Sequence, residues 1–178
     1  DRESRIGSSA SQGASVMRLL VHWDQTVRQR PALASDPFDP AYNFDDLDDA
    51  IRTAQEQDME VLLSLFGTPR WANGGKTPNV MPRRLGDFSA FARAIASRYS
   101  GRFEGYPFVR FWSIWNEPNL QLFLTPQFDG RGRSVAPRNY ARLYAAGYAG
   151  IKAGNARALV AIGETSARGT DNPSGARP

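Results

Sequence analysis

The sequence predicts an α/β fold in which parallel strands form part of a (β/α)8 barrel. Segments with helical periodicity alternate with short apolar segments typical of strands. The predicted strands are largely apolar on both faces, as strands covered on both sides by other elements must be. The long loops follow strands, at the edge of the sheet where β/α barrels carry their functional residues.

Two of the predicted strands lie in the first half of the chain, and each follows a predicted helix. Residues 2–13 are interpreted as the end of a helix, and residues 16–23 form an apolar strand followed by a long, proline-rich loop. Asn43 is predicted to cap the second helix, because the acidic residues after it favour the positive end of a helix dipole. Residues 60–66 are the second predicted strand.

The second half of the chain repeats this helix–strand order. Asp87 is predicted to cap the third helix, and residues 109–115 form the third strand. Pro137 suits the first turn of the fourth helix and Gly154 suits its end. Residues 157–163 are the last predicted strand, and they run into a second carboxylic acid.

The third predicted strand ends in an amide and a carboxylic acid, within the run Ser-Ile-Trp-Asn-Glu-Pro-Asn at residues 113–119. Pro118 prevents the hydrogen-bond ladder from continuing past Glu117. A strand that carries an acid to its carboxyl end and then stops is how a β/α barrel presents a proton donor. The segment therefore indicates acid–base chemistry at Glu117.

Residues 113–119 resemble the fourth-strand signature of the clan A glycoside hydrolases, which are retaining glycosidases with (β/α)8 barrels. In that clan the motif's glutamate is the general acid/base and the preceding asparagine binds the sugar 2-hydroxyl. The resemblance assigns these roles to Glu117 and Asn116. It implies retaining hydrolysis of β-linked oligo- or polysaccharides without a cofactor. It also implies that the four strands are the second to fifth of the barrel, with the nucleophile outside this chain.

Three further candidates lie on the first predicted strand. Arg18 is unusual within an apolar strand, because buried arginines are rare unless paired. In the clan an arginine at this position supports the catalytic carboxylates, whereas pairing with a structural acid is the alternative. His22 and Trp23 end the same strand and are candidate substrate contacts, although a lone histidine is more often a packing or hydrogen-bonding residue.

Two more candidates follow other strands. Trp71 lies in the run Thr-Pro-Arg-Trp, which resembles the clan's third-strand loop, and tryptophan rings stack on the apolar faces of sugars. A purely structural role as a loop anchor is equally open for Trp71. Glu164 ends the last predicted strand, and we expect it to line a subsite or to bond the active-site network rather than to act as the nucleophile.

The length of the chain predicts an incomplete barrel. The chain has 178 residues, whereas a whole (β/α)8 barrel usually needs about 250. The sequence begins at Asp1 without a methionine, and residues 169–178 are interpreted as a loop. Residues 1–178 are therefore predicted to be one partial catalytic barrel, truncated at both ends and inactive by itself.

Composition excludes several other classes of protein. The chain contains no cysteine and one histidine, so disulfides and thiolate metal sites are excluded and no metal site is predicted. No apolar stretch is long enough to cross a membrane. The formal net charge is +4, but the arginines are scattered, so nucleic-acid binding is not predicted.

We expect a carbohydrate substrate, and a secreted or cell-envelope location is slightly favoured. The alternatives are a non-catalytic carbohydrate-binding or structural barrel piece, and an unrelated barrel enzyme that uses Glu117 as a general base.

Overall fold

The computed structural model describes residues 2–168, which form one parallel sheet and the helices that cover it. The predicted terminal loop at residues 169–178 lies outside the described residues. The helices are α1 Arg2–Ser11, α2 Trp23–Thr26, α3 Asp45–Glu56, α4 Arg70–Asn73, α5 Leu85–Arg98 and α6 Ala136–Gly154. The strands are β1 Val16–His22, β2 Glu60–Phe66, β3 Phe111–Ile114 and β4 Leu159–Ala161.

The four strands lie side by side in sequence order, and every neighbouring pair is parallel. Arg18 is opposite Leu62 across the first pair, and Ser64 is opposite Ser113 across the second. Parallel neighbours connected through helices are the repeating unit of a (β/α)8 barrel. The predicted fold class, a partial barrel with about half of its strands, is confirmed.

The main core lies between the sheet and α5 and α6. Side chains of alternate strand residues point to this side, and Leu63, Leu65, Trp112 and Ile114 are fully buried there. The opposite side of the sheet carries polar side chains. This division leaves the inward face of the partial barrel free for chemistry.

Glycines on α6 allow it to approach α5 closely. A Cβ atom added to Gly150 would lie 2.2 Å from the carbonyl oxygen of Ser89, and one added to Gly154 would lie 2.4 Å from that of Arg93. Distances this short are forbidden to any larger residue, so the two helix backbones pack at a separation that only glycine permits.

A buried ion pair connects α3 to α5. Arg98 donates to both carboxylate oxygens of Asp48, at 3.0 and 2.6 Å, and the Tyr99 hydroxyl donates to the same group at 2.7 Å. Burial lowers the pKa of Arg98, but the hydrogen bonds and the charge of Asp48 outweigh it and leave the pKa above its ordinary value.

The strands are shorter than the sequence predicts. The first strand ends at His22, because Trp23 begins the short helix α2. The predicted strands at 109–115 and 157–163 have ladders only over Phe111–Ile114 and Leu159–Ala161. Their predicted ends lie in turns, where the backbone of Trp115 and Gly163 has positive φ.

The two predicted helix caps differ in outcome. The Asn43 side chain accepts a hydrogen bond from the Asp45 amide at 3.1 Å, although Phe44 occupies the cap position. The prediction for Asp87 is wrong, because α5 already begins at Leu85. Pro137 lies in the first turn of α6, and Gly154 is its last residue, both as predicted.

Candidate active site

Glu117 lies directly beyond β3, at the carboxyl edge of the sheet, with its side chain partly exposed. Its backbone φ is +36°, and its amide donates to the Glu164 carbonyl at 3.1 Å. A positive φ is costly for any residue other than glycine and persists only where surrounding contacts impose it. Glu164 also has a positive φ, of +52°, so the backbone of both acids is constrained.

The ring of Trp115, two residues before Glu117, lies in the apolar core. Its φ of +72° ends the regular alternation, and the ring is fully buried against Phe66 and Phe88. Its indole nitrogen donates to the Phe123 carbonyl at 2.7 Å. Trp115 therefore anchors the end of β3 in the core, two residues before Glu117.

Arg18 brings two of the other candidates together. Its Nη2 donates to Glu164 Oε2 at 2.5 Å and to Asn116 Oδ1 at 2.8 Å, while its Nε donates to Glu164 Oε1 at 3.3 Å. The arginine is thus paired with a carboxylate in a two-point contact, the geometry that best suits a guanidinium. Because Asn116 accepts through Oδ1, its amide nitrogen remains available as a donor.

Two serines complete this network, and sequence reasoning did not identify them as site residues. Ser113 donates to Glu164 Oε1, and Ser64 donates to the same oxygen at 3.0 Å. The two hydroxyl oxygens lie 2.6 Å apart on neighbouring strands. A small polar residue within an otherwise apolar strand was the available signal, since such a residue must find a hydrogen-bond partner when buried.

The partners of Glu164 hold it as a carboxylate. Burial raises its pKa, but hydrogen bonds from Arg18, Ser113 and Ser64, with the charge of Arg18, outweigh burial and leave the pKa below its ordinary value. Glu164 is therefore an anionic, hydrogen-bonded member of the site network. An ionised carboxylate in this position cannot supply a proton to a substrate.

His22 lies at the carboxyl end of β1 with its side chain half-exposed. Its Nδ1 is 3.6 Å from a carboxylate oxygen of Asp24, and its ring contacts the Phe66 ring edge-on at 5.6 Å. Its position at the same edge of the sheet as Glu117 keeps it a candidate for contact with a ligand.

The two candidate tryptophans support loops. Trp23 is fully buried and stacks on Phe91, so the substrate contact predicted for it is wrong: the ring has no surface to present to a sugar. Trp71 packs edge-on against Trp23, and the Arg30 guanidinium lies 4.4 Å from the centre of its ring. Its nitrogen donates to the Val27 carbonyl at 3.2 Å, which is the geometry of the alternative role as a loop anchor.

Asn119 joins the loops that carry the two acids. Its amide nitrogen donates to the carbonyl oxygens of Ser166 and Arg168, and its oxygen accepts from the Ser166 amide. A cavity of about 640 Å³ opens beside these loops, and its lining includes Pro118 and Tyr140.

Residues 2–168 contain no group of three or more acidic or histidine side chains placed to hold a metal ion. None of the helices formed by these residues combines the length and apolar character needed to cross a bilayer.

A family model for cellulases, glycosyl hydrolase family 5, matches residues 2–177, which is nearly the whole chain. No curated protein sequence matches the chain significantly.

Solved structures of glycoside hydrolases share the fold. A glucosidase from Croceicoccus marinus has a TM-score of 0.62 at 16% identity, over 87% of this chain and 32% of its own. The endoglucanase Cel5A from Thermotoga maritima has a TM-score of 0.57 at 16% identity, over 89% of this chain and 42% of its own. A family 39 glycoside hydrolase from Bacteroides cellulosilyticus has a TM-score of 0.55 at 15% identity, over 90% of this chain and 28% of its own. The chain thus spans less than half the length of these structures.

Proposed function

Because this chain belongs to glycosyl hydrolase family 5, the cellulase family, we propose that the protein containing it hydrolyses glycosidic bonds in β-linked carbohydrates. Glu117 is the general acid/base of this proposal. The observation that carries it is the position of Glu117: a partly exposed acid in a constrained turn at the carboxyl edge of a parallel sheet.

Glycoside cleavage needs a proton on the departing oxygen while positive charge develops at the sugar carbon. Glu117 donates that proton as the bond between the carbon and the oxygen breaks. In the second step the same group, now a carboxylate, removes a proton from the attacking water. The two acids near the site have separate roles, since Glu164 is held ionised by Arg18 and the two serines.

Asn116 positions the sugar in this proposal. Its oxygen is occupied by the hydrogen bond from Arg18, so its amide nitrogen is the group that donates to a sugar hydroxyl. Arg18 acts as a positioning residue, because one guanidinium fixes both Asn116 and Glu164.

A retaining mechanism needs a second carboxylate about 5–5.5 Å from the acid/base to form the glycosyl–enzyme bond. Glu164 is poorly suited to this task, because both of its oxygens already accept hydrogen bonds. We assign the nucleophile to a part of the protein outside residues 1–178.

The test compares substrates that differ in leaving group, using the protein that contains residues 1–178. For Glu117→Ala we expect a loss of about 10²–10⁴-fold in kcat/KM on substrates with poor leaving groups, the usual worth of general acid–base catalysis. Nitrophenyl β-glycosides need little protonation of the departing oxygen, so the rate of bond cleavage should fall much less with these substrates.

Glu60→Ala is the matched control, because Glu60 is an exposed glutamate at the amino end of β2, away from the site. This variant should hydrolyse both kinds of substrate with unchanged kcat/KM. An equal loss on both kinds of substrate in Glu117→Ala, or no loss on either, would remove Glu117 from the mechanism. Retained binding of oligosaccharides without any hydrolysis by the unmutated protein would favour a carbohydrate-binding role instead.

A further inference from the structure

The loops that follow β1 and β2 enclose a second cavity, of about 530 Å³, which we name the cationic pocket. Ligand sites in proteins usually have volumes of about 300–1,000 Å³. Its charged lining consists of Arg28, Arg70 and Lys76 with one carboxylate, Asp24, and Thr77 and Pro78 complete one side. Three cations thus converge on one space with a single acid among them.

The three cations have no charged partner within residues 2–168. The three residues are exposed, and their side-chain nitrogens form no hydrogen bond or ion pair with residues 2–168. Arginines nearby are different: Arg30 and Arg84 both bind Asp87. Burial raises the pKa of Asp87, but the hydrogen bonds and charges of these arginines lower it further than burial raises it.

The cationic pocket lies at the same edge of the sheet as the candidate active site. Its two loops meet at Gly67, where an added Cβ would lie 2.4 Å from Asp24 Oδ1. Pro78 accepts a hydrogen bond from the Thr68 amide at 2.8 Å, which fixes this wall against the end of β2.

The same loop is joined to the segment that follows Glu117. The Asn79 side chain donates to the Gln121 backbone carbonyl at 2.9 Å, and the backbone carbonyl of Asn79 accepts from the Thr125 amide at 2.9 Å. One wall of the pocket is therefore hydrogen-bonded to the segment that follows the proposed acid/base.

We propose that the cationic pocket is a subsite for an acidic sugar, so that the carbohydrate bound by this protein carries carboxylate or sulfate groups. This inference rests on the proposed function, because it names the substrate class of the same site. Arginine binds such anions through paired hydrogen bonds, and lysine adds a mobile positive charge. Asp24 lines the same pocket, and because its Oδ1 is buried, Oδ2 is the atom that accepts a hydrogen bond from a hydroxyl group of the same sugar.

Two soluble β-glucans that differ in charge provide the test, with the protein that contains residues 1–178. Carboxymethyl cellulose is anionic and hydroxyethyl cellulose is neutral, and affinity electrophoresis measures the binding of each. A Glu117→Gln background prevents hydrolysis of the probes. We expect tighter binding of carboxymethyl cellulose, and replacing Arg28, Arg70 and Lys76 together by Gln should weaken it at least about fivefold, in line with three exposed ion contacts.

The matched control replaces Arg5, Arg138 and Arg142 by Gln, which removes the same charge from exposed helix positions elsewhere. This variant should keep the preference for the anionic probe. If both triple variants lost the same affinity for carboxymethyl cellulose, the binding would be non-specific attraction to a basic protein, and the proposed subsite would be wrong. Equal binding of both celluloses by the unmutated pocket, or binding of neither, would also overturn it.

Two additional probes identify the source of the anion. Preference for carboxymethyl cellulose over cellulose sulfate assigns the pocket to carboxylated sugars, and the reverse assigns it to sulfated sugars. Single-stranded DNA is the second probe. If it bound as tightly as the anionic celluloses, and if this binding disappeared in the triple variant of the pocket, the pocket would be a nucleic-acid site instead of a carbohydrate site. Hydrolysis of hydroxyethyl cellulose by the wild-type protein separates the two proposals, since it would persist if only the acidic subsite were wrong.

Discussion

Glu117 and Glu164 face the same edge of the sheet but have different surroundings. Glu117 contacts Glu164 through a backbone hydrogen bond and leaves its carboxyl group partly exposed. The carboxylate of Glu164 turns towards Arg18 and two serines instead. Two chemically identical side chains thus have different hydrogen-bond partners, and it is this difference on which the separate roles proposed for them depend.

The lowered pKa of Glu164 predicts a pH-dependent contribution to stability. In the folded chain its pKa lies below the ordinary value of 4.5, so the folded state favours the carboxylate. This contribution is fully present above the unfolded pKa and is lost as pH falls through the folded pKa. We therefore expect the difference in unfolding free energy between wild type and Glu164→Gln to be largest near neutral pH and to shrink below about pH 4.5.

Denaturant titrations between pH 7 and pH 3 measure this difference. Glu60→Gln, on an exposed glutamate, should show no such trend. A difference between wild type and Glu164→Gln that stays constant with pH would mean that the ion pair with Arg18 does not stabilise the fold.

The identities of the site residues were partly predictable from the sequence. Glu117 and Asn116 belong to a short motif next to an apolar strand, which is a local signal. Ser64 and Ser113 become site residues only because parallel pairing sets them opposite each other. The positive φ of Trp115 was not predictable, because no local sequence pattern indicates it.

At the scale of secondary-structure elements, the contact between α5 and α6 depends on glycine. A Cβ at Gly150 would approach Ser89 O to 2.2 Å, so the helices would have to separate. We expect Gly150→Ala to lower the unfolding free energy by about 1–3 kcal/mol, the usual cost of overpacking.

Gly86 is the matched control for this prediction, because it also lies in a helix but an added Cβ meets no atom within 4 Å. Gly86→Ala should raise stability by up to about 1 kcal/mol through helix propensity. Thermal or denaturant unfolding of the two variants measures both changes. A stable Gly150→Ala variant would show that the helices pack less closely than described.

The buried pair between Asp48 and Arg98 makes a second prediction for the elements. Their side chains are 7% and 10% exposed, so removing one charge leaves the other uncompensated. We expect Asp48→Asn to cost about 3–5 kcal/mol of unfolding free energy.

Asp49→Asn changes the neighbouring residue and provides the comparison. Asp49 pairs with Arg52 on the surface, with its side chain 75% exposed, and exposed pairs contribute little. Denaturant titration should separate the two variants clearly. Similar unfolding curves for both would contradict the structural role of the buried pair.

Helices were predicted better than strand ends. The apolar stripe of α6 spans five turns, and a long periodic signal is hard to mistake. The ladders of β3 and β4 are only four and three residues long, so their limits depend on where neighbouring strands continue. The short helices α2 and α4 lie in loops, where the sequence has too few residues for any periodicity to appear.

At the scale of the molecule, four parallel strands in sequence order place every functional loop at one edge. The fold class followed from the alternation of periodic segments, which is a property of the whole chain. The network around Glu164 did not follow, because it joins residues 146 positions apart in the chain. Contacts between residues so far apart depend on how the four strands are arranged in the sheet rather than on local sequence.

Azide rescue of Glu117→Ala tests the acid/base role of Glu117 directly, on nitrophenyl β-glycosides and with the protein that contains residues 1–178. Without its general base this variant cannot activate water, but azide is an anion that needs no deprotonation and fits the space the side chain leaves. We expect added azide to accelerate turnover by Glu117→Ala and to yield a β-glycosyl azide, while Glu60→Ala does not respond. If azide produced neither acceleration nor that product, Glu117 would not be the acid/base of a retaining glycosidase.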